Sequence, residues 1–403
     1  MEERRSRRAL ALIGLAALAV LVAGVMYLHP ALGRPAGRGG LPSQVGSPAP
    51  VVLPLEALFS DDLRGWVFGM SSGVASGPTE ASSMASGPWV LMTTRDGGRT
   101  WRQSGLTFPS SPGPGLLLAY VNSVAAGTYA VDLSDDGGQS WRPLALPALT
   151  GNQLRFAFAG PENGWLLDCR ADSIREVPEA AWRTTDGGRS WSRLPTPDLP
   201  GLGSLADLRF VDADRGVLAV TQAGVAATVL LATEDGGVTW RPVAELDVPP
   251  PRPAYLNVEL ASAGPRVLAV LEAFNGPSPP SQVYTAASAD GGQTWTSLRA
   301  GPLTGVSSVP GVRGADRLMV FDGLRLWSSA DGGVSWAVRP ARLPDALKPI
   351  GAVSGGQGTL FVLAGDVSPT GRFNGQRSLL RSADGGVHWA PLALPRPRPR
   401  PVG

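Results

Sequence analysis

The chain has 403 residues, 43% of them apolar, with 52 glycines, 38 prolines and a single cysteine. That length admits one large domain or two ordinary ones, and the apolar share is ample for a buried core. Of its 35 bases, Arg4, Arg5, Arg7, Arg8, Arg34 and Arg38 precede residue 49, and Arg396, Arg398 and Arg400 follow residue 394. Setting aside those nine and, from the 33 acids, Glu2 and Glu3 leaves 26 bases against 31 acids, a balance near −5. This argues against a general nucleic-acid surface, which needs clustered cations. Cys169 alone rules out an intramolecular disulfide. His29 and His388 are the only histidines, so neither a His/Cys metal cluster nor a histidine triad can be assembled. No cofactor is expected.

In chain order, residues 1–8 are a short, arginine-rich cytoplasmic segment. Ala9 to Leu28 is an uncharged apolar stretch of twenty residues, long enough to cross a hydrocarbon core of about 30 Å as a helix. Arginines before it stay in the cytoplasm and place everything after it outside. The expectation is a single-pass signal anchor in a bacterial cell membrane, with the rest extracytoplasmic. A cleaved secretory signal is the competing reading, but Met26-Tyr27-Leu28-His29-Pro30 is a poor cleavage site. Residues 29–48 are rich in Pro and Gly and read as a flexible linker.

From residue 49 to 394 one phrase recurs seven times. Ser329–Trp336 reads Ser-x-Asp-Gly-Gly-x-Ser-Trp, and near copies run Thr94–Trp101, Ser134–Trp141, Thr184–Trp191, Thr233–Trp240, Ser288–Trp295 and Ser382–Trp389. Their aspartates, Asp96, Asp136, Asp186, Asp235, Asp290, Asp331 and Asp384, lie 40, 50, 49, 55, 41 and 53 residues apart. A period of 40–50 residues is the mark of a propeller blade. The fold expected is all-β, a seven-bladed β-propeller preceded by one N-terminal transmembrane helix.

The residue types suit a turn. Consecutive glycines supply the positive φ a tight turn needs. The aspartate can accept hydrogen bonds from the turn's own N–H groups, and the Ser or Thr two residues earlier can bond locally. The tryptophans that close the phrases, Trp101, Trp141, Trp191, Trp240, Trp295, Trp336 and Trp389, suit wedges between blades. All fourteen residues are thus expected to fold the chain rather than to perform chemistry.

Each blade reads as inner strand, turn, second strand, variable loop, third strand, box and outer strand. In the third, these strands are expected at Arg155–Ala159, Gly164–Cys169, Ala180–Thr184 and Ser190–Leu194. The second blade is compressed, its first two strands falling within Leu116–Ala130. Whether Ala49–Leu53 adds a closing strand is left open. Residues 395–403 are an extended, disordered tail rich in Pro and Arg. Because strands alternate in direction, box turns share one face with the turns joining first and second strands. The long connections Ser71–Gly87, Arg170–Glu179, Glu272–Gln282 and Gly365–Gln376, and the interblade Phe108–Gly115, Leu194–Ser204 and Val248–Tyr255, fall on the other. Loops gathered on one face commonly mark a binding face.

The phrase is the Asp-box, or BNR repeat. Together with Gly65-Trp66 and Gly164-Trp165, it makes Val51 to Leu394 resemble the photosystem II stability/assembly factor-like family of seven-bladed propellers. That resemblance implies an extracytoplasmic, non-enzymatic scaffold holding a protein partner at or near the membrane. Its partner-binding residues are not assigned. Asp-boxes also occur in sialidases and some endoglucanases, so the alternative is a glycan-binding or glycan-hydrolysing propeller. The Arg-Ile-Pro motif of sialidases is absent. Asp61, Asp62, Glu162, Asp212 and Asp214 are acidic candidates, but they fall in turns on the box face. Calcium at Asp212–Gly216 would need Gly and Glu where Val217 and Ala223 stand, so that stretch is a turn.

Overall fold

A computed structural model describes residues 51–394 apart from 60–61, 73–88, 105–106, 111–115, 122–129, 173–174, 202, 223–226, 276–281, 305–310, 313–317, 322–324, 333, 342, 345–346, 350–353, 356–358 and 368–372. The anchor at 9–28, the linker at 29–48, the tail at 395–403, Asp61 and most of Ser71–Gly87 lie outside the described residues. Among the described residues no helix is long and apolar enough to cross a membrane.

The strands form seven antiparallel sheets that follow one another along the chain. The first holds Val51–Phe59, Gly65–Ser72, Trp89–Thr94 and Arg102–Ser104. The second holds Thr107–Ser110, Leu117–Val121, Ala130–Ser134 and Arg142–Pro143. The third comprises Gln153–Phe158, Gly164–Ala171, Glu176–Thr184 and Ser192–Leu194, and the fourth Gly203–Phe210, Gly216–Gln222, Ala227–Thr233 and Arg241–Asp247. Tyr255–Ala263, Arg266–Phe274, Gln282–Ser288 and Arg299–Thr304 make the fifth. Gly311–Val312, Leu318–Phe321, Arg325–Ser329 and Ala337–Pro340 make the sixth. In the seventh, Lys348–Pro349 and Ser354–Gly355 both pair with Leu360–Val367, followed by Phe373–Ser382 and Ala390–Pro391. The architecture is a β-propeller.

A repeated aromatic contact explains why the sheets pack face to face. Phe59, Phe158 and Phe210 end their inner strands and stand opposite Gly65, Gly164 and Gly216. A Cβ on any of these glycines would overlap the phenylalanine ring. The ring therefore lies flat over its own sheet and turns outward to the preceding one. Phe210 stacks on Trp165 of the third sheet at 3.4 Å, and Phe59 on Phe361 of the seventh at 3.5 Å. The box tryptophan meets the same ring edge-on, as Trp101 does Phe59 and Trp240 does Phe210. Such pairs add to the hydrophobic gain of burial.

The Phe59–Phe361 stack also closes the ring, joined by a hydrogen bond from Thr359 N–H to Asp62 Oδ1 at 3.3 Å. Val51–Leu53 pairs with Met70–Ser72 inside the first sheet, so among the described residues the ends meet by packing rather than strand exchange.

Two expectations are corrected. The third strand of the third sheet begins at Glu176, so most of Arg170–Glu179 is paired β-structure. A bulge between Asp168 and Cys169 absorbs the extra residue beside Pro178, which disguised the strand as a loop. In the second sheet the inner strand is Thr107–Ser110, upstream of the window Leu116–Ala130 and overlapping the supposed connection Phe108–Gly115. A register shift between Thr107 and Pro109 accommodates the proline in that strand.

Candidate functional site

The box aspartates are committed to their own turns. In every box the Asp accepts the hydroxyl two residues before it, from Thr94 to Asp96 at 2.9 Å through to Ser382 to Asp384 at 2.7 Å. Four residues after the Asp, the hydroxyls of Thr100, Ser140, Ser190, Thr239, Thr294 and Ser335 donate to its second oxygen at 2.6–2.8 Å. His388 takes that place in the last box, its Nδ1 2.6 Å from Asp384.

Hydroxyl and N–H groups of Thr100 and Ser335 hold Asp96 and Asp331 down at about 2. For Asp136, Asp235 and Asp290 burial works the other way, and the summed hydrogen bonds still bring them to about 2. Asp186 and Asp384 lie lower still, held first by the Ser190 hydroxyl and the His388 N–H. Groups held so firmly ionised cannot serve as general acids near neutral pH.

The tryptophans close the same unit. Trp141, Trp240, Trp295 and Trp389 donate to the carbonyl of their own box's second glycine at 2.8–3.2 Å. Trp101 and Trp191 have buried indole N–H groups without a hydrogen bond. Trp336 packs on the fifth sheet's Leu268, Val270 and Val283.

The box turns and the first-to-second-strand turns share one face. The first box glycine donates to that turn's carbonyl: Gly97 to Leu63, Gly187 to Glu162, Gly236 to Asp214 and Gly291 to Pro265, at 2.7–2.8 Å. Asp62, Glu162, Asp212 and Asp214 lie in these turns. Asp212 is fully engaged there. Its Oδ1 accepts the backbone N–H groups of Asp214 at 3.0 Å and Arg215 at 2.7 Å, and its Oδ2 accepts the Arg215 guanidinium at 2.7 Å. Arginines then latch three of these turns to the sheet before them. Arg95 reaches Asp136 O at 2.7 Å, Arg142 reaches Gly187 O, and Arg183 reaches Ala213 O at 2.9 Å.

A second group of charges lies on the inner half of the third, fourth and fifth sheets. Arg155 and Glu176 form a two-pronged pair, Nε to Oε1 and Nη2 to Oε2, each 2.7 Å. Burial opposes the charge on Arg155, but Glu176 outweighs it and raises the guanidinium pKa. Asp207 Oδ2 accepts Leu260 N–H at 2.8 Å, and Arg209 Nε donates to Leu260 O at 2.7 Å. These contacts satisfy the free edge of the fifth sheet's inner strand.

Within the fifth sheet, Glu272 is buried, and Asn257 Nδ2 donates to its Oε2 at 2.9 Å. Burial pushes Glu272 up to about 7. Glu259 is half-buried as a residue; the surroundings of its carboxyl, then the charges of Asp207 and Glu272 against Arg209, push it to about 7 as well. Sequence reasoning missed these residues. Their signal was a lone acid in an apolar run, as in Leu268–Phe274, or charges alternating with apolar residues, as in Asp207–Phe210. Among the described residues no group of three or more His, Cys, Asp or Glu is arranged to hold a metal.

No protein-family model matches the chain. No curated protein matches it either. Among solved structures it is similar to YCF48 bound to D1 peptide, with 18% identity, 84% of this chain and 95% of that chain covered, and a TM-score of 0.46. YCF48 from Cyanidioschyzon merolae is similar at 16% identity, covering 85% and 98%, with a TM-score of 0.47. The NanB sialidase from Streptococcus pneumoniae is similar at 13% identity, covering 88% and 70%, with a TM-score of 0.40.

Proposed function

We propose that this chain is a seven-bladed propeller, one blade per sheet, tethered by residues 9–28 to the outer side of a bacterial membrane. There it acts as a non-enzymatic scaffold for a protein partner, as the sequence resemblance implies. One topological observation carries the reading. The first strand starts, and the last strand ends, at the ends of their sheets opposite the boxes. The linker therefore departs from the face that also carries the connections between second and third strands. A linker of twenty residues has a root-mean-square reach of about 25 Å. It holds that face within reach of the membrane, where the partner would lie.

Photo-crosslinkers in the full chain test this. Those replacing Arg170 or Asp198, on the connection face, should yield adducts with a membrane-associated protein. Those replacing Arg189 or Val238, on the box face, should not. Equal labelling from both faces, or none from either, overturns the proposal.

The glycan-hydrolysing reading is favoured by a different observation, the two carboxyl groups held near neutrality, Glu259 and Glu272. A raised carboxyl is what a general acid needs. Release of sugar from a panel of glycans, abolished by Glu272→Gln, would establish it in place of the scaffold.

A further inference from the structure

The inner hairpin of the fifth sheet carries a polar group with no counterpart. In register, Tyr255 stands opposite Phe274, Asn257 opposite Glu272 and Glu259 opposite Val270. Alternation puts Tyr255, Asn257, Glu259, Glu272 and Phe274 on one face of the hairpin. Tyr255 and Phe274 stack at 4.6 Å at the hairpin's open end, where the second-to-third-strand connection leaves.

Beneath that stack, Glu272 is only 3% exposed, and its Oε1 has no hydrogen-bond partner. Glu259 has no hydrogen-bond partner among the described residues. Asp207 and Arg209 of the fourth sheet, whose charges act on Glu259, are already spent on the backbone of Leu260. Glu259 thus feels two acids, Asp207 and Glu272, against the one guanidinium of Arg209. A buried carboxylate oxygen left unpaired costs about 1–3 kcal/mol or more, a cost that a cationic donor removes.

The ligand set points to the kind of cation. A metal lacks its third ligand among the described residues. A guanidinium or ammonium needs only acceptors and an apolar collar, and the edges and faces of Tyr255 and Phe274 provide the latter. We propose that Glu259 and Glu272 receive one basic side chain, arginine or lysine, of a protein partner approaching the face opposite the boxes. This inference rests on the scaffold reading above.

The probes are labelled acetyl-Gly-Arg-Gly and acetyl-Gly-citrulline-Gly amides, citrulline being the neutral isostere. Their binding to the full chain in detergent would be followed by fluorescence anisotropy at about pH 8, where both carboxyls are ionised. The arginine peptide should bind roughly tenfold tighter or better, the worth of a charge-assisted hydrogen bond. Glu272→Gln and Glu259→Gln, which keep shape, should each erase that preference. Equal binding of the two peptides, or a preference surviving Glu272→Gln, overturns the proposal. If the connection face still crosslinks its partner as strongly in Glu272→Gln as in the wild type, the scaffold reading stands and the basic-residue receptor falls.

Discussion

Trp165, on the second strand of the third sheet, donates its indole N–H across the sheet boundary to Gly236 O of the fourth sheet's box at 2.8 Å. Its ring is meanwhile pressed flat against Phe210, and the Arg183 guanidinium lies 5.5 Å from its centroid. One side chain thus joins the hydrophobic seam between sheets to the box turn.

Trp165→Phe keeps most of the seam but orphans the Gly236 carbonyl, so it should cost about 1–2 kcal/mol. Trp165→Ala should cost about 3–5 kcal/mol, because the cavity adds to the lost transfer energy. Urea denaturation followed by fluorescence separates the two. Equal costs would show that the indole hydrogen bond contributes nothing.

Arg155→Ala should destabilise by about 3–5 kcal/mol, since it strands the buried Glu176 carboxylate. Adding Glu176→Leu should recover much of that loss, as a buried pair replaced whole is often neutral. A double-mutant cycle in urea measures the coupling. A double variant as unstable as the sum of the singles would refute the pairing argument.

Asp235→Ala removes the acceptor for Thr233 and for both donors of Thr239, and should cost about 1–2 kcal/mol. Asp331→Ala does the same two sheets away. The sites share no partner, so their costs should add within about 0.5 kcal/mol. A double variant in chemical denaturation checks this.

The pH profile should have a maximum near about pH 4–5. Folding lowers Asp96, Asp136, Asp235, Asp290 and Asp331 from 3.8 to about 2. Their contribution is present above 3.8 and is lost as pH falls towards 2. Glu259 and Glu272 are raised from 4.5 to about 7. The unfolded chain ionises them first, so stability declines as pH rises from 4.5 to 7 and stays lower above. Glu272→Gln should therefore stabilise the protein at about pH 8 by roughly 1–3 kcal/mol and change little at about pH 4. Thermal melts across that range decide it; a wild-type profile flat from 4.5 to 7 would contradict the burial of these acids.

How much was legible in advance follows the range of the interactions. The boxes could be read because everything they need lies within eight residues: a hydroxyl, an acceptor and two glycines at positive φ, as Gly236 and Gly237 show at 71° and 90°. The shared face of the two turn types also follows from strand alternation, and Gly236 N–H to Asp214 O realises it. Thr107–Ser110 and Glu176–Glu179 read as loop because a proline beside a bulge costs a strand little, while in sequence it marks a loop.

The amino-acid sequence by itself determined the repeat, the turn chemistry and the order of strands, since local hydrogen bonding and short-period patterning decide these. The tertiary structure alone decided that Trp165 reaches Gly236, 71 residues away, and that Glu259 feels the charges of Glu272, Asp207 and Arg209. Desolvation and charge coupling depend on which side chains the ring brings together, and no local pattern records that.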